Sequence, residues 1–240
     1  MKLDKLDLVV VIPVYNEEEI ISTVLSEWHQ KLNELEINFE IHVYNDGSKD
    51  NTLKIITETS ELLENIIVHD KENSGHGPTI LMGYRENSHA EWVFQVDSDN
   101  EMSPDEFSRV WDNRNHADFV IAHRYGRISP TSRKIISWVS RLIVGLLYGN
   151  RIYDVNAPYR LMKCTIFKDF WKLIPDDTFA PNIVISGIAA HVNCKIIEIP
   201  ITHYNRVTGE VSIQKFKLLK MVIKSLIQTV KFRYLIKNLL

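Results

Sequence analysis

A chain of 240 residues with 45% hydrophobic residues is long enough to bury a full core, as one large domain or two closely joined lobes. Its formal net charge of -3 gives no general reason to expect nucleic-acid binding, and its two cysteines exclude a disulfide framework and fit a reducing, cytosolic setting. Asp4 and Asp7 precede the first apolar run and argue against a secretory signal, while Arg141 interrupts the apolar segment Ile135–Gly149 and argues against a membrane span.

The first half of the chain alternates predicted strands with predicted helices. Leu8–Val14 is a continuous apolar run, typical of a parallel strand covered on both faces, and Glu17–Leu35 has apolar residues at helical spacing. Further strands are predicted at Phe39–Tyr44, Asn65–His69, Glu91–Val96 and Asp118–Ala122, and further helices at Asp50–Leu63, Thr79–Asn87 and Pro104–Asn113. This alternation predicts an α/β fold with a doubly wound, mostly parallel sheet and helices on both faces.

The second half is less regular. We expect a loop over His123–Arg133, an apolar helix over Lys134–Tyr148, a weaker helix over Asn182–His191 and a strand over Lys195–Ile201. A polar loop is expected over His203–Ser212. Neither a linker nor an internal repeat separates the two halves, so we expect a single compact unit.

The last segment of the chain is basic. Glu210 is its last acidic residue, and the Lys and Arg residues that follow are Lys215, Lys217, Lys220, Lys224, Lys231, Arg233 and Lys237. Together with apolar residues at helical spacing, they predict an amphipathic helix over residues 214–240. Such a helix either lies on an anionic membrane surface or packs its apolar face on the protein, and the two arrangements are compatible.

Three polar clusters follow predicted strands, at Tyr15–Glu17, Asn45–Ser48 and Asp97–Asp99. Ligands of doubly wound sheets bind beyond the carboxyl ends of the strands, so we expect the clusters to meet in one crevice. If the chain stays extended, the side chains of Asp97 and Asp99 point to one side, and their hard oxygens suit Mg²⁺ or Mn²⁺. Taken alone, each cluster could also be a turn that caps the next helix.

Together these strings resemble the family-2 glycosyltransferases, which have the GT-A fold. The strings that carry the resemblance are Pro13-x-Tyr15-Asn16-Glu17, Asn45-Asp46-Gly47-Ser48-x-Asp50-x-Thr52, Asn73-x-Gly75 and Asp97-x-Asp99. The resemblance implies a nucleoside-diphosphate-sugar donor and a divalent ion, Mg²⁺ or Mn²⁺. The nucleotide-binding residues that it implies are Pro13, Tyr15, Glu17, Asn45, Asp46, Asp97 and Ser98. Its metal ligands are Asp97 and Asp99, of which Asp99 is the main one.

The second half is similar to one branch of the family, the polyprenyl-phosphate sugar transferases such as dolichyl-phosphate mannose synthase. The strings are Asp154-Val155-Asn156-Ala157-Pro158-Tyr159-Arg160-Leu161 and Ile199-Pro200-Ile201-x-His203-x-x-Arg206-x-x-Gly209-Glu210-x-Ser212. The residues that this similarity implies for the acceptor phosphate are Arg124, Arg127, Arg160, Arg206 and Ser212. Asp99, Arg124 and Arg206 would be the catalytic residues, because they would offset charge on the leaving diphosphate. Each arginine alone could instead form a surface ion pair.

The sequence thus leads to the hypothesis of a metal-dependent, inverting hexosyltransferase that acts on a polyprenyl phosphate and is peripheral on the cytosolic membrane face. Residues 1–125 would bind the donor, 126–213 the acceptor, and 214–240 would form the basic helix. One alternative is transfer to a saccharide with Asp176 or Asp177 as base, because a sugar hydroxyl must lose its proton whereas a phosphate dianion need not. The other alternative is a non-catalytic binding subunit with the same fold. The sugar, the base and the oligomeric state stay open.

Overall fold

A single mixed sheet organises the molecule. The computed structural model describes residues 6–126, 131–149, 152–192, 194–204 and 215–237, without the side chains of 131–135 and 215–221. The strands are β1 (Leu8–Val14), β2 (Phe39–Asp46), β3 (Ile66–Lys71), β4 (Trp92–Gln95), β5 (Phe119–Tyr125), β6 (Arg160–Lys163) and β7 (Ile196–Thr202). Their order is β3-β2-β1-β4-β6-β5-β7, and β6 alone runs antiparallel to its neighbours. The predicted α/β class with a mostly parallel sheet is confirmed.

Helices connect successive strands, and a last helix follows β7. They are α1 (Ile21–Glu34), α2 (Thr52–Leu62), α3 (His76–Glu86), α4 (Phe107–Asp112), α5 (Thr131–Tyr148), α6 (Cys164–Leu173), α7 (Pro181–His191) and α8 (Lys215–Lys237). Within the described ranges, no helix is both long enough and apolar enough to cross a membrane.

Neighbouring residues of the central strands face opposite helical layers. On one face, the ring of Phe94 lies 5.3 Å from that of Trp28 in α1. On the other face, Val11 packs against Gly83 of α3, where an added Cβ would lie 2.5 Å from Val11 Cγ1. Because side chains of a strand alternate between faces, β1 and β4 are buried on both sides, as their continuous apolar runs predict.

Several predicted boundaries are wrong. β6 and α6 were not predicted. β6 is only four residues long and contains two apolar residues, Leu161 and Met162, which are too few to show a strand period. β5 continues through Tyr125, so the loop predicted from His123 begins later. α3 begins at His76 although Pro78 follows, because the first N–H groups of a helix have no partner within it and proline costs little there.

The basic helix α8 is docked on the domain. Phe232 and Ile236 are buried, and the Tyr148 hydroxyl of α5 donates a hydrogen bond of 3.0 Å to the Thr229 carbonyl. The Arg233 Nε–H donates to the Leu147 carbonyl at 2.7 Å. The helix therefore packs on the protein along one side. Its other side, which includes Lys224 and Lys231, stays exposed.

Candidate active site

The first two polar clusters lie against each other at the carboxyl ends of β1 and β2. The Asn16 side-chain oxygen accepts the backbone N–H of Lys49 at 2.8 Å, and the Asn16 N–H donates to the Ser48 hydroxyl at 3.0 Å. The Glu17 N–H donates to the Thr52 hydroxyl at 2.8 Å. Asn16 has a φ of 54°, a left-handed conformation that asparagine tolerates. The two loops thus form one continuous wall, and the prediction that their clusters meet is confirmed.

Tyr15 and Pro13 lie on the same wall in different environments. Tyr15 is 39% exposed, whereas Pro13 is buried in β1. β1 pairs with β4 only as far as Val11. Pro13 lies beyond that point, where this edge of β1 has no strand partner, so its missing N–H costs no hydrogen bond to β4. Tyr15 is therefore the open aromatic side chain of the wall, and Pro13 lies behind it.

Asn45 and Asp46 end β2 and are almost fully buried. The Asn45 amide donates to Asp70 of β3 at 2.7 Å, and its oxygen accepts the backbone N–H of Ser48 at 3.3 Å. Ser98, beyond the end of β4, is also buried. The polar atoms of Asn45 therefore hold the wall in place, and the sequence did not predict this role.

Asp46 organises the loop that leads into α3. It forms an ion pair with Lys71 and accepts the backbone N–H groups of Ser74 and Gly75, each at 2.8 Å. Burial acts to raise the pKa of Asp46, but the hydrogen bonds and the Lys71 charge outweigh it and hold that pKa below its usual range. Gly47 is required nearby, because its φ is +66° and an added Cβ would lie 2.8 Å from the Asn73 nitrogen.

The Asp-x-Asp string lies on a turn and not on extended chain. β4 ends at Gln95, and Asn100, which follows the string, has a φ of 53°. The expected extended geometry is therefore wrong. Asp97 and Asp99 nevertheless lie directly beyond the end of β4, partly exposed, and Asp99 accepts the Glu101 N–H at 3.2 Å.

A buried polar network connects Asp97 to the core. The Gln95 amide donates to Asp97 Oδ1 at 2.9 Å, and the Gln95 oxygen accepts from the Tyr84 hydroxyl at 2.9 Å and from the Asn182 amide at 2.8 Å. Tyr84 lies on α3 and Asn182 on α7. Elements from both halves of the chain therefore fix the orientation of the Asp97 carboxylate.

His76 is a site residue that the sequence did not predict. Its Nε2 lies 3.0 Å from Asp97 Oδ1, and its side chain is about half exposed, at 54%. Although partial burial acts to lower the pKa of His76, the charge of Asp97 outweighs it and raises that pKa. The available signal was its position directly after Asn73-x-Gly75, where α3 begins.

Arg124 is a second basic residue near Asp97. It lies on β5, not in a loop, and forms a two-pronged ion pair with Asp154 at 2.6 and 2.9 Å. Burial acts to raise the pKa of Asp97, but the charges of His76 and Arg124 outweigh it and hold that pKa below its usual range. The structure thus places Arg124 near enough to Asp97 for its charge to act on that carboxylate, while its role in binding phosphate stays a prediction.

Arg160 requires a correction. The sequence predicts that it contacts the acceptor phosphate, but its side chain is fully buried on β6. Its guanidinium donates to the carbonyls of Ala157 and Asn182 at 2.8 and 3.0 Å, and burial lowers the pKa of Arg160 to about 10. It therefore holds the turn before β6 against α7. Arg127, Arg206 and Ser212 lie outside the described residues.

The candidate bases of the saccharide alternative are exposed and ion-paired. Asp176 contacts Arg85 of α3, and its side chain is 91% exposed. Asp177 lies 3.1 Å from the Lys224 ammonium group and is 70% exposed. Both carboxylates therefore form ion pairs at the surface, on the loop between α6 and α7.

Asp97 and Asp99 fit a divalent metal ion that also binds a substrate. Mg²⁺ and Mn²⁺ prefer carboxylate oxygens, and Mg²⁺ commonly completes its shell with water and substrate phosphates. In the part of the chain that the structure describes, no group of three His, Cys, Asp or Glu side chains is placed to hold a metal by itself. The residues therefore fit an ion whose shell a bound diphosphate completes.

The chain matches a known protein family and curated relatives. Residues 9–172 match the family described as glycosyl transferase family 2. A Pseudomonas aeruginosa relative named undecaprenyl-phosphate 4-deoxy-4-formamido-L-arabinose transferase is 30% identical over 229 residues, which cover 92% of this chain and 65% of the relative. A Micrococcus luteus relative named undecaprenyl-phosphate mannosyltransferase is 26% identical over 209 residues, which cover 83% of this chain and 84% of the relative.

The fold is also that of a solved glycosyltransferase. Glucosyl-3-phosphoglycerate synthase from Mycobacterium tuberculosis, in complex with Mn²⁺, UDP and glucosyl-3-phosphoglycerate, matches with a TM-score of 0.66 at 14% identity, covering 95% of this chain and 79% of that chain. This likeness shows the GT-A fold.

The chain spans 64% and 65% of the length of the arabinose-transferase relatives from Proteus mirabilis and Pseudomonas aeruginosa. Since the family match covers well over half of the sequence, the chain belongs to glycosyl transferase family 2.

Proposed function

We propose that this chain transfers a sugar, with inversion, from a nucleoside-diphosphate sugar to a polyprenyl phosphate. The observation that carries the proposal is the group formed by Asp97, Asp99, Arg124 and His76 beyond the end of β4. Two carboxylates beside an arginine and a histidine suit a divalent ion and a diphosphate together. The names of the two bacterial relatives support the lipid phosphate as acceptor.

The donor nucleotide would lie along the wall at the ends of β1 and β2. Tyr15, which is partly exposed, would stack on the base, and Glu17 would accept its N–H groups or a ribose hydroxyl. Pro13 and Ser98 would back the site, and Asn45 and Asp46 would act by holding the wall. The sugar diphosphate would then lie beside Asp97.

Departure of the nucleoside diphosphate builds negative charge on its β-phosphate. A Mg²⁺ or Mn²⁺ ion bound to Asp99 and Asp97 would supply Lewis-acid stabilisation of that charge. Gln95 and His76 keep Asp97 Oδ1 in place and leave its other oxygen facing away from them. Arg124, oriented by Asp154, would add positive charge near the diphosphate, and Arg206 would assist.

The acceptor would need no general base. A lipid monophosphate has its second pKa near ~6 and is largely dianionic at neutral pH, so cations that hold it in line are sufficient. Arg124, Arg127 and Arg206, with Ser212, are the proposed contacts. Residues 126–213 would thus form the acceptor half, residues 1–125 the donor half, and the protein would work at the cytosolic membrane face.

The decisive experiment replaces the proposed main metal ligand. We expect Asp99→Asn to lower transfer from a nucleotide sugar to undecaprenyl phosphate by about 10²-fold or more, as is typical when an electrostatic stabiliser of a transition state is lost. Transfer is measured with radiolabelled donors and Mn²⁺ in detergent. Asp112→Asn, at an exposed position on α4, is the matched control and should transfer at the wild-type rate.

The same assay separates the alternatives. Undiminished transfer by Asp99→Asn would contradict the metal mechanism. The double variant Asp176→Asn, Asp177→Asn should retain transfer to the lipid phosphate. The saccharide alternative would be favoured if the wild-type protein transfers sugar to saccharides and the double variant loses transfer. A wild-type protein that transfers from none of the common nucleotide sugars to either acceptor would favour the non-catalytic binding subunit.

A further inference from the structure

A second concave site lies away from the strand ends, along helix α8. This α8 groove has a volume of about 630 Å³ and lies between α8, the start of α7 and the loop 174–178. Its apolar lining residues are Ile174, Val184, Ile223, Ile227, Phe232 and Leu235. The volume is within the range of small-molecule binding sites, and an open groove with this lining is a site for a hydrocarbon chain.

The apolar residues of the α8 groove are exposed although helix α8 is firmly packed on the domain. Ile223 and Ile227 are about half exposed although the opposite side of α8 is buried in the domain. The Gln228 side chain further fixes the helix, because its oxygen accepts the Phe179 N–H at 3.0 Å and its amide donates to the Asp177 carbonyl at 3.1 Å. The groove is therefore preformed, and no other part of the described chain covers its apolar surface.

The rim of the α8 groove carries net positive charge. Lys224 and Lys231 line it, and Asp177 is the acidic residue among the lining side chains. Asp177 pairs with Lys224 at 3.1 Å. For Lys231, the described residues contain no carboxylate within ion-pair distance. A ligand with a hydrocarbon chain and an anionic head group would therefore satisfy both the lining and the rim.

The α8 groove and the candidate active site lie on different sides of the loop 174–179. Thr178 lines the groove, while the carbonyl oxygens of Thr178 and Phe179 lie 2.5 and 2.3 Å from where a Cβ on Gly77 would be. Gly77 follows His76, which contacts Asp97. A phosphate held by Lys224 and Lys231 would thus have this loop between it and the Asp-x-Asp string, which favours a ligand other than the reacting lipid.

We propose that the α8 groove binds an anionic phospholipid of the membrane, with an acyl chain along Ile223 and Ile227 and the phosphate at Lys224 and Lys231. This site anchors the protein to a bilayer surface by chain insertion together with charge. It does not rest on the proposed sugar transfer. Bilayer binding and catalysis can therefore fail or succeed independently.

Vesicle co-sedimentation of the purified protein tests the contribution of charge. We expect binding to phosphatidylglycerol–phosphatidylcholine vesicles and little binding to pure phosphatidylcholine. Lys231→Gln should weaken binding roughly fivefold, which corresponds to one lysine near an anionic surface. Lys237→Gln is the matched control, because it removes the same charge from an exposed position on α8 outside the groove. An equal loss in both variants would overturn the groove and indicate a non-specific basic helix.

Short-chain lipid tests chain insertion without a bilayer. Monomeric dihexanoyl-phosphatidylglycerol should bind the wild type in calorimetric titration, and Ile227→Ser should weaken binding severalfold. Leu146→Ser, at a more exposed apolar position on α5 outside the groove, should not. The proposal is wrong if both serine variants behave alike, if dihexanoyl-phosphatidylcholine binds equally well, or if the groove instead mediates self-association that Ile227→Ser abolishes. Unchanged melting temperatures confirm that the variants are folded.

Discussion

Gln95 is the residue on which the geometry of Asp97 depends most directly. It is fully buried, donates to Asp97 Oδ1 and accepts hydrogen bonds from Tyr84 and Asn182. A buried donor or acceptor left unpaired costs about 1–3 kcal/mol, so this side chain affects both stability and the site. The sequence around it, an apolar strand followed by Asp97, predicts the strand but not the partners, because Asn182 is distant along the chain.

We expect Gln95→Leu to lower the free energy of unfolding by about 1–3 kcal/mol, because it removes the acceptor of the buried Asn182 amide and leaves the Tyr84 hydroxyl only its other acceptor, Asn182 Oδ1. It should also lower transfer, because Asp97 loses one of the two groups that orient it. Urea unfolding followed by circular dichroism, together with the transfer assay, measures both. Gln30→Leu, at an exposed position on α1, is the control and should change stability by less than about 0.5 kcal/mol. A Gln95→Leu protein of wild-type stability would contradict the network.

At the scale of elements, the start of α3 connects the two halves of the chain. Gly75 precedes it with a φ of +94°, Asp46 accepts the N–H groups of Ser74 and Gly75, and Gly77 packs against the carbonyls of Thr178 and Phe179. The predicted helix began three residues late, at Thr79 rather than His76, because Gly and Pro usually interrupt helices. Contacts with β2 and with the loop before α7 decide the boundary, and these contacts are not visible in local sequence.

Gly77→Ala distinguishes local propensity from tertiary packing. Alanine is favoured over glycine in a helix by about 1 kcal/mol, which alone would stabilise the protein. The added Cβ would however lie 2.3 Å from the Phe179 carbonyl oxygen, a backbone atom that cannot rotate away. We therefore expect destabilisation by about 1–3 kcal/mol, the usual cost of overpacking, and reduced donor binding. Thermal unfolding and nucleotide titration measure the two effects. A rise in melting temperature would show that the loop shifts freely.

At the scale of the whole molecule, a pair of histidines makes stability depend on pH. His42 Nδ1 lies 2.9 Å from His69 Nε2 between β2 and β3, and burial lowers the pKa of both. Glu40 faces His42 and Glu86 faces His69, and both carboxylates oppose the shift without cancelling it. The neighbouring His69 and His89 also act to lower the pKa of His42. The folded protein therefore prefers both rings neutral.

The free energy of unfolding should fall as the pH is lowered from about 7.5 to about 5.5. Unfolded histidines take up protons near pH ~6.5, whereas the folded pair does so only at lower pH, so the unfolded state binds more protons in this window. His76 has the opposite sign, because its pKa is raised in the fold. Urea unfolding at several pH values should show a flatter dependence for His69→Gln than for wild type. His116→Gln, outside the pair, should keep the wild-type slope, and an equal flattening would contradict the assignment.

The sequence by itself determined the architecture and the position of the site. Continuous apolar runs alternating with helical periods predict a doubly wound sheet, and polar strings at strand ends predict a crevice there, because both depend on short-range patterns. The tertiary structure alone decided which side chains share that crevice. In the structure His76 contacts Asp97, and Arg124 pairs with Asp154. Arg160 is buried and holds the turn before β6. Charge and spacing along a chain do not show whether an arginine faces solvent or carbonyl groups, since that depends on contacts between residues far apart in sequence.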